Sequence, residues 1–119
     1  MPTPAVGIFK IKRKSLRPIL RARVVRCSDG QPVDFTGAIG VRVQMADEDG
    51  VPKIVDGMAS FPFGPEAGIL QYVWGSPDTL VLGCYSLEFD VDYGGTDVHT
   101  FPEDGVINVV VEADVNDAV

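Results

Sequence analysis

The residues able to do chemistry are few, and their spacing gathers none of them into a known machine. His99, flanked by Val98 and Thr100, is the only histidine, so any Ser-His-Asp or Cys-His relay would rest on that one ring. No nucleophile elbow, phosphate-cradling glycine loop or His-x-x-x-His pair accompanies it. Cys27 and Cys84 are the only thiols. They could pair in principle, but in a protein made in the cytosol two such residues more often stay reduced, and no Cys-x-x-Cys motif or second histidine suggests zinc. Glu88, Asp90 and Asp92 put three carboxylates on one face of a strand. Carboxylates so placed stand ~7 Å apart, whereas calcium cages draw ligands from loops. Asp47-Glu48-Asp49-Gly50 lacks the spaced ligands and terminal Glu of an EF-hand loop. The acidic stripe therefore reads as a solvated or Arg-paired face, and the expectation is a chain with no catalytic residues, no metal and no cofactor.

Charge is distributed more tellingly than catalysis. Lys10, Lys12, Arg13, Lys14, Arg17, Arg21, Arg23 and Arg26 are eight of the ten cations, and no acid precedes Asp29. After Arg26 only Arg42 and Lys53 oppose all seventeen acids, a balance of −15 against +8 for the first part. A cationic edge on an anionic body suits docking to an acidic neighbour, including another copy of the chain, because complementary fields steer encounter and penalise wrong registers. Those eight residues are the candidate docking edge. Nucleic acid is not the expected partner: the body would repel a polyanion, and no recognition helix, zinc finger or aromatic RNA-binding motif is present. The plainer alternative is that the cations line the wet face of two early strands and pair loosely with acids nearby.

The elements that must carry these residues are strands. Hydrophobic residues make up 45% of 119 residues and are dispersed, which is globular composition for one domain spanning 1–119. The apolar runs are far shorter than the ~20 residues a bilayer demands. Met1 to Val6 lacks the basic and apolar regions of a signal peptide, and the ends near 1–6 and 114–119 read as frayed. Periodicity is two almost throughout. Leu20, Ala22 and Val24 alternate with Arg21 and Arg23; Ile39, Val41, Val43 and Met45 share a face; Tyr85, Leu87, Phe89, Val91 and Tyr93 share another. Further strands are expected over Gly7 to Lys14, Val51 to Val55, Gly57 to Phe63, Ile69 to Trp74, Asp97 to Phe101 and Val106 to Ala113. Turns at Ser28-Asp29-Gly30, Asp47 to Gly50, Gly94-Gly95 and Pro102 to Gly105 separate them. Seven to nine short strands without a convincing helix predict an antiparallel immunoglobulin-like β-sandwich. Gly83-Cys84-Tyr85 at the start of a late strand fits the corner at which a buried Tyr bonds the backbone; Leu87 stands where an antibody domain would carry its strand cysteine, so no inter-sheet disulfide is expected.

Several of these segments occur in a telling order. Arg17-Pro18 opens a strand; Asp29-Gly30 precedes Pro32-Val33-Asp34-Phe35-Thr36-Gly37-Ala38; then come Tyr72-Val73-Trp74, Gly83-Cys84-Tyr85 with Phe89 and Val91, and Thr100-Phe101-Pro102. This order, over most of the chain, resembles the N-terminal domain of phage baseplate upper proteins. The resemblance implies an immunoglobulin-like module that attaches to the virion of a tailed bacteriophage, with other virion structural proteins as partners and the virion as its location. In that family a distal part carries the receptor-binding or fibre element. No heptads or second domain occur in these 119 residues, so what carries over is the anchoring role. The expected function is a non-enzymatic building block that docks on a capsid, neck or tail lattice. The alternative is a module for host-surface glycans, which requires Tyr72, Trp74 and Tyr93 to form an exposed platform.

Overall fold

The computed structural model describes residues 5–26, 28–75, 77–102 and 105–113. Pairing of Cys27 with Cys84, the fraying of 114–119 and the Asp104 part of the last turn concern residues outside that set. Among the described residues eight strands run in chain order: β1 (Ala5–Lys12), β2 (Leu20–Arg23), β3 (Gly40–Asp47), β4 (Pro52–Ser60), β5 (Ile69–Tyr72), β6 (Gly83–Asp92), β7 (Val98–Phe101) and β8 (Val106–Glu112), with one 3-10 turn at Pro65–Ala67. Ala5 and Val6, expected in a frayed end, already belong to β1.

Alternation sets the inner face of each strand. Val41, Val43 and Met45 of β3 and Tyr85, Leu87, Phe89 and Val91 of β6 are buried, and Leu70, Tyr72 and Trp74 join them from β5 and its continuation. Each fully buried aliphatic or aromatic side chain of this kind contributes about 1.5–3 kcal/mol of transfer free energy. Ile39, expected to extend the β3 face, precedes the strand and is 72% exposed. Tyr85 behaves as its position implies: the ring is buried and the hydroxyl donates to the Val81 carbonyl at 2.7 Å.

The two-layer sandwich is corrected to a single, mostly antiparallel sheet that curls into a nearly closed, barrel-like wall. Its order is β1-β8-β6-β3-β4-β5-β2, with β7 paired to β6 beyond the end of β8, and β1 runs parallel to β8. The cause lies in β4, which also merges the two strands expected at 51–55 and 57–63. Ala59 stands opposite Val41 of β3 and opposite Tyr72 of β5, so one strand carries the ladder across the line where a sandwich would divide. A bulge lets it do so. Val43 faces Gly57 and Met45 faces Ile54, leaving one extra residue on β4, and Asp56 there has φ 51°. Gln44 satisfies the interrupted ladder: its amide donates to Asp56 Oδ1 at 2.6 Å and to Asp90 Oδ2 at 3.2 Å, while its carbonyl oxygen accepts from the Asp56 N–H at 2.9 Å.

Gly57, next to the bulge, has no room for a side chain: a Cβ there would lie 2.6 Å from Ile54 Cγ2 and 3.1 Å from Tyr72 Cε1. Gly57→Ala should lower the urea midpoint by an amount worth about 1–3 kcal/mol, with the slope of the transition unchanged. A wild-type midpoint would show that Ile54 yields at no cost.

Candidate functional site

The two ends of the sheet order, β1 and β2, face each other across a seam. Among the described residues β1 pairs only with β8 and β2 only with β5. The chain turns between them through residues 13–19, and the seam is stitched at that end. The Lys14 N–H donates to the Thr79 carbonyl at 2.9 Å, the Thr79 hydroxyl donates to the Ser15 carbonyl at 3.0 Å, and the Trp74 indole N–H donates to the Pro18 carbonyl at 3.1 Å. Trp74 also packs on Phe9, ring centres 5.7 Å apart. Behind this stitch Asp78, buried, accepts from the Tyr72 hydroxyl at 2.6 Å and the Gly75 N–H at 2.7 Å.

Away from the stitch the seam opens into a groove of about 770 Å³ between Gly7–Phe9 on one side and Leu20–Arg26 on the other. Phe89, Phe101 and Ile107 form its floor. The candidate docking edge surrounds this seam. Lys10 and Lys12 project outward from β1 and reach Glu112 at 3.9 and 3.4 Å; Lys14 and Arg17 are exposed on the connection; Arg21 and Arg23 are exposed on β2; Arg26 pairs with Asp29 at 2.8 Å. Arg13 is half-buried and engaged. These ion pairs are largely exposed, so each contributes little to stability. Arg21 is held in place: its Nε donates to Gln71 Oε1 at 2.7 Å and its guanidinium lies 5.3 Å above the Phe63 ring. Beside the stitched end sits an apolar patch that charge and pattern did not single out. Leu16, Leu80, Val81 and Leu82 are all more than 40% exposed, and the Thr79 bonds bring their two segments together.

The other sequence candidates are not brought together. His99 lies opposite Val91 and Cys84 opposite Val110, seven residues apart along β6 or ~23 Å at strand rise. Cys84 is a half-buried free thiol, and His99 is exposed with its ring against Phe101. Tyr72 and Trp74 are core residues and Tyr93 is half-buried, so these three do not form an aromatic platform. The acidic stripe is largely engaged by its own neighbours. Asp90 accepts from Gln44 and Thr100, and Asp92 from the Gly94 N–H, with Arg42 at 3.8 Å. Among the described residues no three His, Cys, Asp or Glu side chains are placed to hold a metal ion.

Two titrations follow from this geometry. Burial and the Asp78 carboxylate hold the Tyr72 hydroxyl well above its ordinary value of 10.0, so the folded state retains a proton that the unfolded chain loses. Stability should therefore fall as pH rises through about 10 and beyond, and Tyr72→Phe should flatten that arm while costing about 1–3 kcal/mol at neutral pH. Urea midpoints against pH check both. Burial, then Asp90, raises the Glu88 carboxyl above 4.5. Its stabilising share is present in acid and is lost as pH rises through that region, so Glu88→Gln should be the more stable variant at neutral pH. Compared with known proteins the chain matches no family model and no curated protein, and the surfaces just described are what its function must be read from.

Proposed function

We propose that this chain is a non-enzymatic structural component of a tailed-bacteriophage virion, an immunoglobulin-like module that docks on a capsid, neck or tail/baseplate lattice. Strand pairing supports the fold-level part of this reading. Immunoglobulin-like domains pair strand B with E and place C, F and G side by side, with a tyrosine corner at the start of F. Here β2 pairs with β5, β3, β6 and β8 are neighbours, and Tyr85 at the start of β6 bonds the Val81 carbonyl. The bulged β4 then draws what would be two sheets into one curled wall.

The observation that carries the docking role is the meeting of charge and apolar surface at the stitched end. Lys12, Lys14 and Arg17 stand beside exposed Leu16, Leu80, Val81 and Leu82, while the remaining body is anionic. Apolar contact supplies affinity there, charge polarity sets orientation, and many copies on a lattice multiply a modest single contact. A host-glycan function would need a different surface from the buried Tyr72 and Trp74.

Charge reversal tests the reading. Lys12→Glu, Lys14→Glu and Arg17→Glu together should cut incorporation into virions at least tenfold in a complementation assay. The thermal midpoint should stay close to wild type, because all three side chains are exposed. Undiminished incorporation of a folded triple variant would refute the docking role.

A further inference from the structure

We propose that the open part of the seam is a strand-acceptor site, taking one extended segment of a neighbouring protein in which apolar residues alternate with Asp or Glu. Main-chain geometry carries this first. The Val24 N–H donates to the Gly68 carbonyl at 2.8 Å, continuing the β2·β5 ladder, so residues of that parity turn their N–H and C=O towards β5. Arg21, Arg23 and Val25 turn theirs the other way, to the seam. On β1 the Arg13 N–H donates to the Glu112 carbonyl, and the register to β8 is unbroken from Gly7 to Lys12. Ile8 and Lys10 therefore present their main-chain groups on the side away from β8, while the Lys12 carbonyl on that side already accepts from the Ser15 N–H at 3.0 Å. Past the end of β1, in the turn that the Ser15 N–H closes on the Lys12 carbonyl, the Lys14 N–H donates to the Thr79 carbonyl, which fixes this end of the seam. Two rows of edge donors and acceptors thus flank one groove, and an edge so exposed is a template for another strand.

The lining then selects the strand. Side chains of an inserted segment alternate inward and outward. Those pointing inward meet Phe89, Phe101, Ile107 and Leu20, an apolar floor. Those pointing outward emerge between exposed Ile8, with Lys10 next beyond it, on one flank and exposed Arg21 and Arg23 on the other. Carboxylates at alternate positions match that rim, and cations there would be repelled. The longer wall, Leu20–Arg26, spans a segment of about four to six residues, an ordinary strand, and Gly7–Phe9 flanks part of that length. The inserted strand would complete the wall from β1 to β2. This site is separate from the apolar patch at the stitched end, so one copy could engage two neighbours.

The test uses the isolated protein and is therefore independent of incorporation into virions. The probe is a fluorescent eight-residue peptide alternating Val with Glu. Its counterparts alternate Val with Lys, or carry N-methyl groups on every second residue so that one edge can no longer donate. The expected result is micromolar binding of the Val/Glu peptide, at least tenfold weaker binding by Arg21→Gln/Arg23→Gln, and loss of binding by the Val/Lys and by both registers of N-methylated peptide. Hydrogen exchange should slow at the N–H groups of Lys10, Arg21 and Arg23 when the peptide is present. Absence of binding, or binding indifferent to N-methylation, overturns strand acceptance. Protection of the same N–H groups on self-association, without peptide binding, would assign the groove to a second copy and overturn the proposed partner.

Discussion

A curled sheet whose end strands do not pair with each other needs something to set how far it closes, and here that limit comes from hydrogen bonds between the β1–β2 connection and the segment following β5. Thr79 bonds Ser15 and Lys14, Trp74 bonds Pro18, and Asp78 ties Tyr72 to Gly75 so that the loop presenting Thr79 keeps its shape. Asp78 and Thr79 are buried, and a buried polar group deprived of its partner costs about 1–3 kcal/mol. The closure is therefore specific as well as favourable. It brings the start of the chain against its middle while leaving the upper seam open.

The same curl decides where charge goes. Because eight of the ten cations fall between Lys10 and Arg26, on β1, β2 and the segments adjoining them, a wall that ends on those two strands gathers them at one opening. The acids fall mostly on strands and turns elsewhere, and several are absorbed into local work: Asp34 accepts from the Thr36 N–H and hydroxyl, Asp47 from the Asp49 and Val51 N–H groups, and Asp90 from Gln44 and Thr100. Hydrogen bonding from Thr36 accordingly lowers the Asp34 pKa. Polarity of the whole molecule thus follows from strand order, since the same cations on strands set apart in the sheet would be spread around the wall.

Strand identity and facing were legible in the residues because a period of two is a local property. Leu20 and Ala22 against Arg21 and Arg23, or Leu87, Phe89 and Val91 against Glu88 and Asp90, can be sorted without knowing any partner. Strand pairing is non-local and left little trace. Asp56-Gly57 reads as a break between two strands, yet it is a bulge inside one, because Gln44 from the adjacent strand supplies the missing bonds. Asp78, in a sequence rich in turn residues, gives no sign of being buried beneath the Tyr72 hydroxyl. The candidate docking cations could be named from charge alone. The groove between their strands could not, since it exists only because these consecutive strands pair with distant partners, β1 with β8 and β2 with β5, and not with each other.

Parallel pairing of β1 with β8 has a mechanical consequence. The register runs from Ala5 opposite Val106 to Lys12 opposite Glu112, so the leading end of one strand and the trailing end of the other lie at opposite poles. Tension applied between Ala5 and Glu112 would slide the two strands past each other, loading all their cross-links together instead of peeling them one by one. A brick built this way resists being pulled along its own chain.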